Sequence, residues 1–141
     1  MKSLVLDTNV IVSGTFWTGI CFRILELIGK NKFKMVVSYS ILEEYERIIN
    51  SSEILDKTTL IQKARVNSLN QILQNAIVVE PKQSLDIVTD DKDDNKFIEA
   101  AIEGLASYII TQDKHLLKIK EYKGIKIITP EEFYELVKDT P

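Results

Sequence analysis

Asp7, Glu44, Asp94 and Asp113 are the acids whose positions along the chain suit them to act together. Ionised carboxylates drawn to one edge of a sheet repel, and the repulsion is relieved by raised pKa values or by bound cations. Cys21 and His115 are the only cysteine and histidine, so neither a thiolate set nor a histidine pair is available to recruit zinc. Oxygen-only ligands suit hard divalent cations. The chemistry to test is therefore a Mg²⁺ or Mn²⁺ site.

Two of these acids are placed by the strands that precede them. Leu4-Val5-Leu6 is a short apolar run ending in Asp7-Thr8-Asn9, which reads as a buried central strand leaving the sheet at a turn. Asp113 follows Tyr108-Ile109-Ile110-Thr111 in the same way. In an open parallel α/β sheet, ligands bind at the carboxyl ends of the strands, which is where both acids belong.

Helical periodicity places the other two, at about 100° of rotation per residue. In the helix starting near Asp94, Phe97, Ile98, Ala101 and Leu105 define an apolar stripe, and Asp94 projects near its centre. Glu99 and Glu103 fall on the opposite side. Ile41, Leu42, Tyr45, Ile48 and Ile49 form the stripe of an earlier helix, with Glu43 facing away and Glu44 on the margin. Glu46 flanks the other margin and is not excluded by the pattern. Acids near helix N-termini also serve as plain caps or dipole partners, so each one alone carries little weight.

The elements alternate. A helix is expected over Ile20 to Ile28, closing at Gly29, and a second strand at Met35-Val36-Val37. Ser40 is expected to cap a helix over Ile41 to Ile49, followed by a longer helix from about Thr58 to Gln74 with apolar positions 60, 61, 64, 66, 69, 72 and 73. Ala76 to Val79 is the third strand. An acid-rich loop from Asp86 to Asp94 leads into a helix over Asn95 to Glu103, ended by Gly104. Strand Tyr108 to Ile110, a short helix from Gln112 to Ile119 and strand Ile125 to Ile128 follow. Thr129-Pro130-Glu131-Glu132 is a capping box with proline at the first helical position. This order predicts an α/β fold: a central parallel sheet with helices on both faces, joined by right-handed crossovers.

With 141 residues and 45% hydrophobic content, the chain suits one core, so a single domain over residues 1–141 is expected. A net charge of -3, from 18 basic and 21 acidic residues, argues against nucleic-acid binding by global positive charge. Such a partner would be held locally or through bound cations. The one cysteine fits a reducing compartment, and the N-terminal apolar run is broken by Asp7 and Asn9 with no cleavage pattern after it. No apolar run approaches the roughly 18 residues that a membrane span needs. A cytoplasmic protein without membrane contact is expected.

Four segments resemble the ordered acidic motifs of PIN domains: Leu6-Asp7-Thr8-Asn9-Val10, Ile41-Leu42-Glu43-Glu44-Tyr45, Asp93-Asp94-Asn95-Lys96-Phe97 and Thr111-Gln112-Asp113-Lys114-His115-Leu116-Leu117. They cover almost the whole chain. The match is nearest to prokaryotic PIN proteins of toxin–antitoxin pairs, the VapC-like ribonucleases. That resemblance implies a three-layer α/β/α sandwich, an acidic cluster of Asp7, Glu44, Asp94 and Asp113, and supporting roles for Asn9 and Thr111. It also implies Mg²⁺ or Mn²⁺ as cofactor, RNA as substrate, an antitoxin protein as partner and a homodimer. Asp91 and Asp93 blur the third motif, since either would serve as a ligand or hold metal-bound water.

Several side chains have competing readings. His115 and Lys114 beside Asp113 are candidates for proton transfer and phosphate contact, against the ordinary reading of surface residues. Lys30, Lys32 and Lys34, and later Lys118, Lys120, Lys123 and Lys126, either track a nucleic-acid backbone or are solvated loops. Phe16 and Trp17 either stack on a base or a partner, or pack in the core. Competing functions are a non-catalytic PIN-fold interaction module and a structure-specific DNase. A phospho-acceptor receiver domain fits less well, because only Asp7 stands where that class carries an acidic pair.

Overall fold

The computed structural model describes residues 1–51, 54 and 59–139. Six strands, β1 (Ser3–Leu6), β2 (Lys34–Ser38), β3 (Ile77–Val79), β4 (Tyr108–Ile110), β5 (Glu121–Tyr122) and β6 (Ile125–Ile128), form one sheet in the order β3-β2-β1-β4-β6-β5. All pairings are parallel except β5 with β6. Helices α1 (Thr8–Phe16), α2 (Ile20–Gly29), α3 (Tyr39–Ile49), α4 (Leu60–Gln74), α5 (Asn95–Glu103), α6 (Lys114–Leu117) and α7 (Pro130–Val137) flank it, giving an α/β/α sandwich. Among the described residues no single helix is long and apolar enough to cross a membrane.

The strand order places the site. From β1 the chain builds outward first through β2 and β3, then on the other side through β4 and β6, so the connections diverge between β1 and β4. A crevice forms at the strand ends where such a reversal occurs. Leu6 pairs with Ile110, which sets the next residues, Asp7 and Thr111, side by side. Asp7 N–H donates to the Ile110 carbonyl at 3.0 Å, tying the two chain exits together.

Several elements differ from the periodicity reading. The chain enters α1 directly after Asp7 rather than leaving in a turn. Thr8-Asn9-Val10-Ile11-Val12-Ser13-Gly14 is rich in β-branched residues and has no helical stripe, so local propensity is silent. Burial decides instead: Val10, Ile11, Gly14, Thr15 and Phe16 all lie inside. Helix α3 is capped by Ser38, whose Oγ accepts from Ile41 N at 3.2 Å, so Tyr39 and Ser40 are already helical. Ser40 is not the cap. Helix α6 spans only Lys114–Leu117, and the missed strand β5 returns as a short hairpin onto β6.

The expected start of α4 at Thr58 lies outside the described residues. Its apolar positions are not one buried stripe: Leu69 is buried, while Leu60 and Ile61 are exposed. α4 packs chiefly on α1 and α2, and a narrow apolar contact suffices to hold it. Helix α5 packs on β1, β2 and β4 and is buried on nearly every side. Its end requires glycine, because a Cβ at Gly104 would lie 2.4 Å from Val36 Cγ1. Leu105, counted in the stripe, falls beyond the helix at φ 53° and is exposed.

Candidate active site

Asp7 and Asp94 occupy the N-cap positions of α1 and α5, yet neither side chain caps its helix. The plain capping reading therefore fails for both. Asp7 is 6% exposed, and its Oδ2 accepts from the Thr111 hydroxyl at 2.6 Å. Burial pushes its carboxyl above the usual range; the Thr111 and Thr8 hydrogen bonds pull it down, and the charges of Asp113 and Glu44 push it up again. Asp113 does act as a cap, since its Oδ1 accepts from His115 N at 2.7 Å. Thr111 Oγ1 also accepts from Asp113 N at 2.9 Å, so one buried hydroxyl connects both strand exits.

Asp94 is the most perturbed of the group. Desolvation first, then the adjacent Asp113 carboxyl, then the charges of Asp91 and Asp7, push its pKa up to about 7. Its Oδ2 is buried and has no hydrogen-bond partner among the described residues. An unpartnered carboxylate oxygen inside a protein is costly, and it marks a place where a cation or proton is expected.

Glu44 reaches the same cluster from α3, and its charge is felt at both Asp7 and Tyr45. Beneath it Tyr45 is buried and donates its hydroxyl to the Leu6 carbonyl, which locks α3 to the end of β1. Both Glu44 oxygens are engaged: the Thr8 hydroxyl donates to Oε2, and Lys96 Nζ lies 2.5 Å from Oε1. Sequence reasoning missed Thr8 and Lys96. Lys96 lies away from the apolar stripe of α5 by angle, yet the helix is enclosed and Lys96 is 9% exposed. Its pairing with Asp93 and Glu44 outweighs burial and raises its pKa.

The blurred third motif resolves into distinct placements. Asp91 Oδ1 accepts from Asp93 N at 3.2 Å and caps the short 3-10 turn over Lys92–Asp94. Asp93 is exposed and paired with Lys96 at 2.8 Å, which holds its carboxyl below the usual range. Asn95, also missed, is buried and makes four hydrogen bonds to the loop before it. Its Oδ1 accepts from Ile87 N and Val88 N at 2.9 and 2.8 Å, and its Nδ2 donates to Val88 O and Lys92 O at 3.1 and 3.0 Å. A polar residue at a helix start was the available signal.

Asn9 is exposed, and Thr8 beside it makes the contact to Glu44. His115 and Lys114 are exposed, with His115 Nδ1 3.7 Å from Asp113 Oδ1. Phe16 is buried and Trp17 is 61% exposed. Since α1 starts at Asp7, Trp17 lies about 14 Å of helix away from the cluster.

Among the described residues no group of three or more His, Cys, Asp or Glu side chains stands ready-made to hold an ion. The donor chemistry nonetheless fits a hard cation: the carboxylates are oxygen-only, Asp7 and Asp94 are raised by burial and further by neighbouring charge, and Asp94 Oδ2 is unpartnered.

A family model described as "PIN domain" matches residues 3–115. The chain belongs to the PIN-domain family. An uncharacterized protein of Methanocaldococcus jannaschii, MJ1680, is 32% identical over 141 residues, covering 94% of this chain and 89% of its own. The sandwich is similar to the crystal structure of PAE2754 from Pyrobaculum aerophilum, with a TM-score of 0.63 at 15% identity, covering 98% of this PIN domain chain and 90% of that one. It is also similar to VapBC2 from Rickettsia felis bound to a DNA fragment from its promoter, with a TM-score of 0.59 at 16% identity over 90% of this chain and 98% of the other. At those identities the likeness is one of fold.

Proposed function

We propose that this PIN protein, acting as a single domain, is a metal-dependent endoribonuclease that hydrolyses RNA phosphodiester bonds. The observation that supports the reading is that Asp7, Asp94 and Asp113 lie near the β1/β4 strand ends within reach of one another's charge, with Asp94 pushed up to about 7, first by burial, and one of its oxygens unpartnered. Asp7, Asp94 and Asp113 would hold Mg²⁺ or Mn²⁺, and Glu44 would ligate or orient the attacking water. The cation supplies charge neutralisation at the phosphate and a water acidic enough to react at neutral pH.

The chain's own residues set the geometry. Thr111 fixes the Asp7 carboxylate through Oδ2 and the Asp113 backbone through its hydroxyl oxygen. Tyr45 and Thr8 hold α3 and α1 against the end of β1, which keeps Glu44 beside the aspartates. In the hydrolysis itself, a water oxygen bonds to phosphorus and the bond to the leaving sugar oxygen breaks in line. A proton then goes to that oxygen.

The toxin role, an antitoxin partner, a homodimer and cytoplasmic action are part of the same proposal. The toxin role and the partners are supported by the motif resemblance and by the fold likeness to VapBC2, a toxin–antitoxin complex, and the compartment by the single cysteine. Purified protein incubated with single-stranded RNA and Mn²⁺ or Mg²⁺ tests the enzyme reading. Cleavage that is lost in Asp7→Asn and Asp94→Asn supports it. RNA left intact with both cations favours the interaction module, and cleavage of structured DNA in preference to RNA favours the DNase.

A further inference from the structure

The four acids are not equivalent in how their oxygens are satisfied. Glu44 has both oxygens occupied within the protein, by Thr8 and Lys96, whereas Asp94 Oδ2 has no partner. The Lys96 and Glu44 side chains are 10% and 15% exposed, so this ion pair sits largely out of water. Asp93, the second partner of Lys96, lies 2.8 Å away and is 68% exposed. Lys96 thus has one poorly solvated partner, Glu44, and one partner at the surface, Asp93. Three elements meet in the contact: α3 through Glu44, α5 through Lys96 and α1 through Thr8.

We propose that Lys96 is a positioning residue, a clamp that keeps Glu44 paired, so that a divalent cation is held by Asp7, Asp94 and Asp113 without Glu44 as a ligand. The inference rests on the nuclease reading and decides which carboxylates remain free. For Glu44 to ligate an ion, a short charge-assisted hydrogen bond in a poorly solvated setting must break, leaving the lysine without its buried partner. Asp94 Oδ2 has no ion pair to give up. The positive charge of Lys96 beside the cluster also opposes cation binding, so the clamp limits affinity as well as coordination.

Titration calorimetry with Mn²⁺ alone, on the full chain, separates the alternatives. Lys96→Met is expected to bind Mn²⁺ about tenfold more tightly, because a cation is removed and a carboxylate is released. The double variant Lys96→Met/Glu44→Gln, which deletes the pair as a neutral unit, is expected to return to within about threefold of wild type. Should Lys96→Met prove unstable by circular dichroism, the double variant still carries the test, since it leaves no buried charge unpaired. An unchanged or weaker affinity in folded Lys96→Met overturns the clamp, as does a tenfold or greater loss in the double variant, which would make Glu44 a direct ligand. In both cases wild-type binding stands and the nuclease reading survives. If neither wild type nor Lys96→Met binds Mn²⁺, that reading fails and the clamp with it.

Discussion

Thr111 and Asp7 are joined by a 2.6 Å hydrogen bond between residues that follow neighbouring strands, and the same hydroxyl accepts from the Asp113 backbone. One side chain thus sets the spacing of two carboxylates that come from opposite ends of the chain. Its position follows from the pairing of Leu6 with Ile110.

Thr111→Val preserves shape but removes that link. The Asp7 carboxyl loses a hydrogen bond that lowers its pKa, and Asp113 N loses its acceptor. A stability loss of about 1–3 kcal/mol is expected from the unsatisfied buried groups. Urea unfolding checks the stability, and Mn²⁺ titration should show weaker binding in the same variant.

Asp94 makes stability depend on pH in a defined window. Its folded pKa, about 7, lies above the ordinary carboxylate value of 3.8, so between these pH values the folded state binds the proton that the unfolded state has released. Stability therefore falls as pH rises from about 4 to about 7 and levels off above. Asp94→Asn is expected to raise the melting temperature relative to wild type at pH above about 7, and to leave it nearly unchanged below about pH 4. Thermal melts across that range decide it, and a variant curve parallel to wild type would count against the perturbed carboxyl.

Divalent cations should reverse the same penalty. Mn²⁺ binds the ionised carboxylates, so its stabilisation should be larger above about pH 7 than near pH 5. Melts with Mn²⁺ and then with excess chelator provide the measurement. Chelation should restore the lower melting temperature.

Asn95 holds the loop before α5 by four buried hydrogen bonds. Asn95→Ala is expected to cost about 2–4 kcal/mol, because buried partners are left unsatisfied. Hydrogen exchange should quicken at the Ile87 and Val88 amides before it does in the sheet.

Gly104→Ala places a methyl group 2.4 Å from Val36 Cγ1, inside any tolerable contact. Overpacking of this kind costs about 1–3 kcal/mol. A lowered denaturation midpoint with unchanged slope would show that the loss is local strain.

Strand ends and their acids were legible because short apolar runs stop abruptly at Asp7 and at Thr111, and a parallel sheet puts such exits on one edge. Asp94 stood out for a similar reason, as a charge projected into an apolar stripe. Periodicity failed at α1, where β-branched residues became helical under burial, and at Leu105, which lies past the glycine that ends α5. It gave no sign of Lys96, since angular position on a helix says nothing about a second layer covering the outer side.

From its residues alone the chain determined its alternation of strands and helices, the acids at the sheet edge and the absence of cysteine or histidine sets for zinc. Those features are local or compositional, and spacing reports them. Only the tertiary structure decided that Thr111 would bridge to Asp7, that Asp93 would turn outward to Lys96, and that Glu44 would be paired while Asp94 was left open. Such choices depend on which side chains converge from distant segments, and on how much water remains between them.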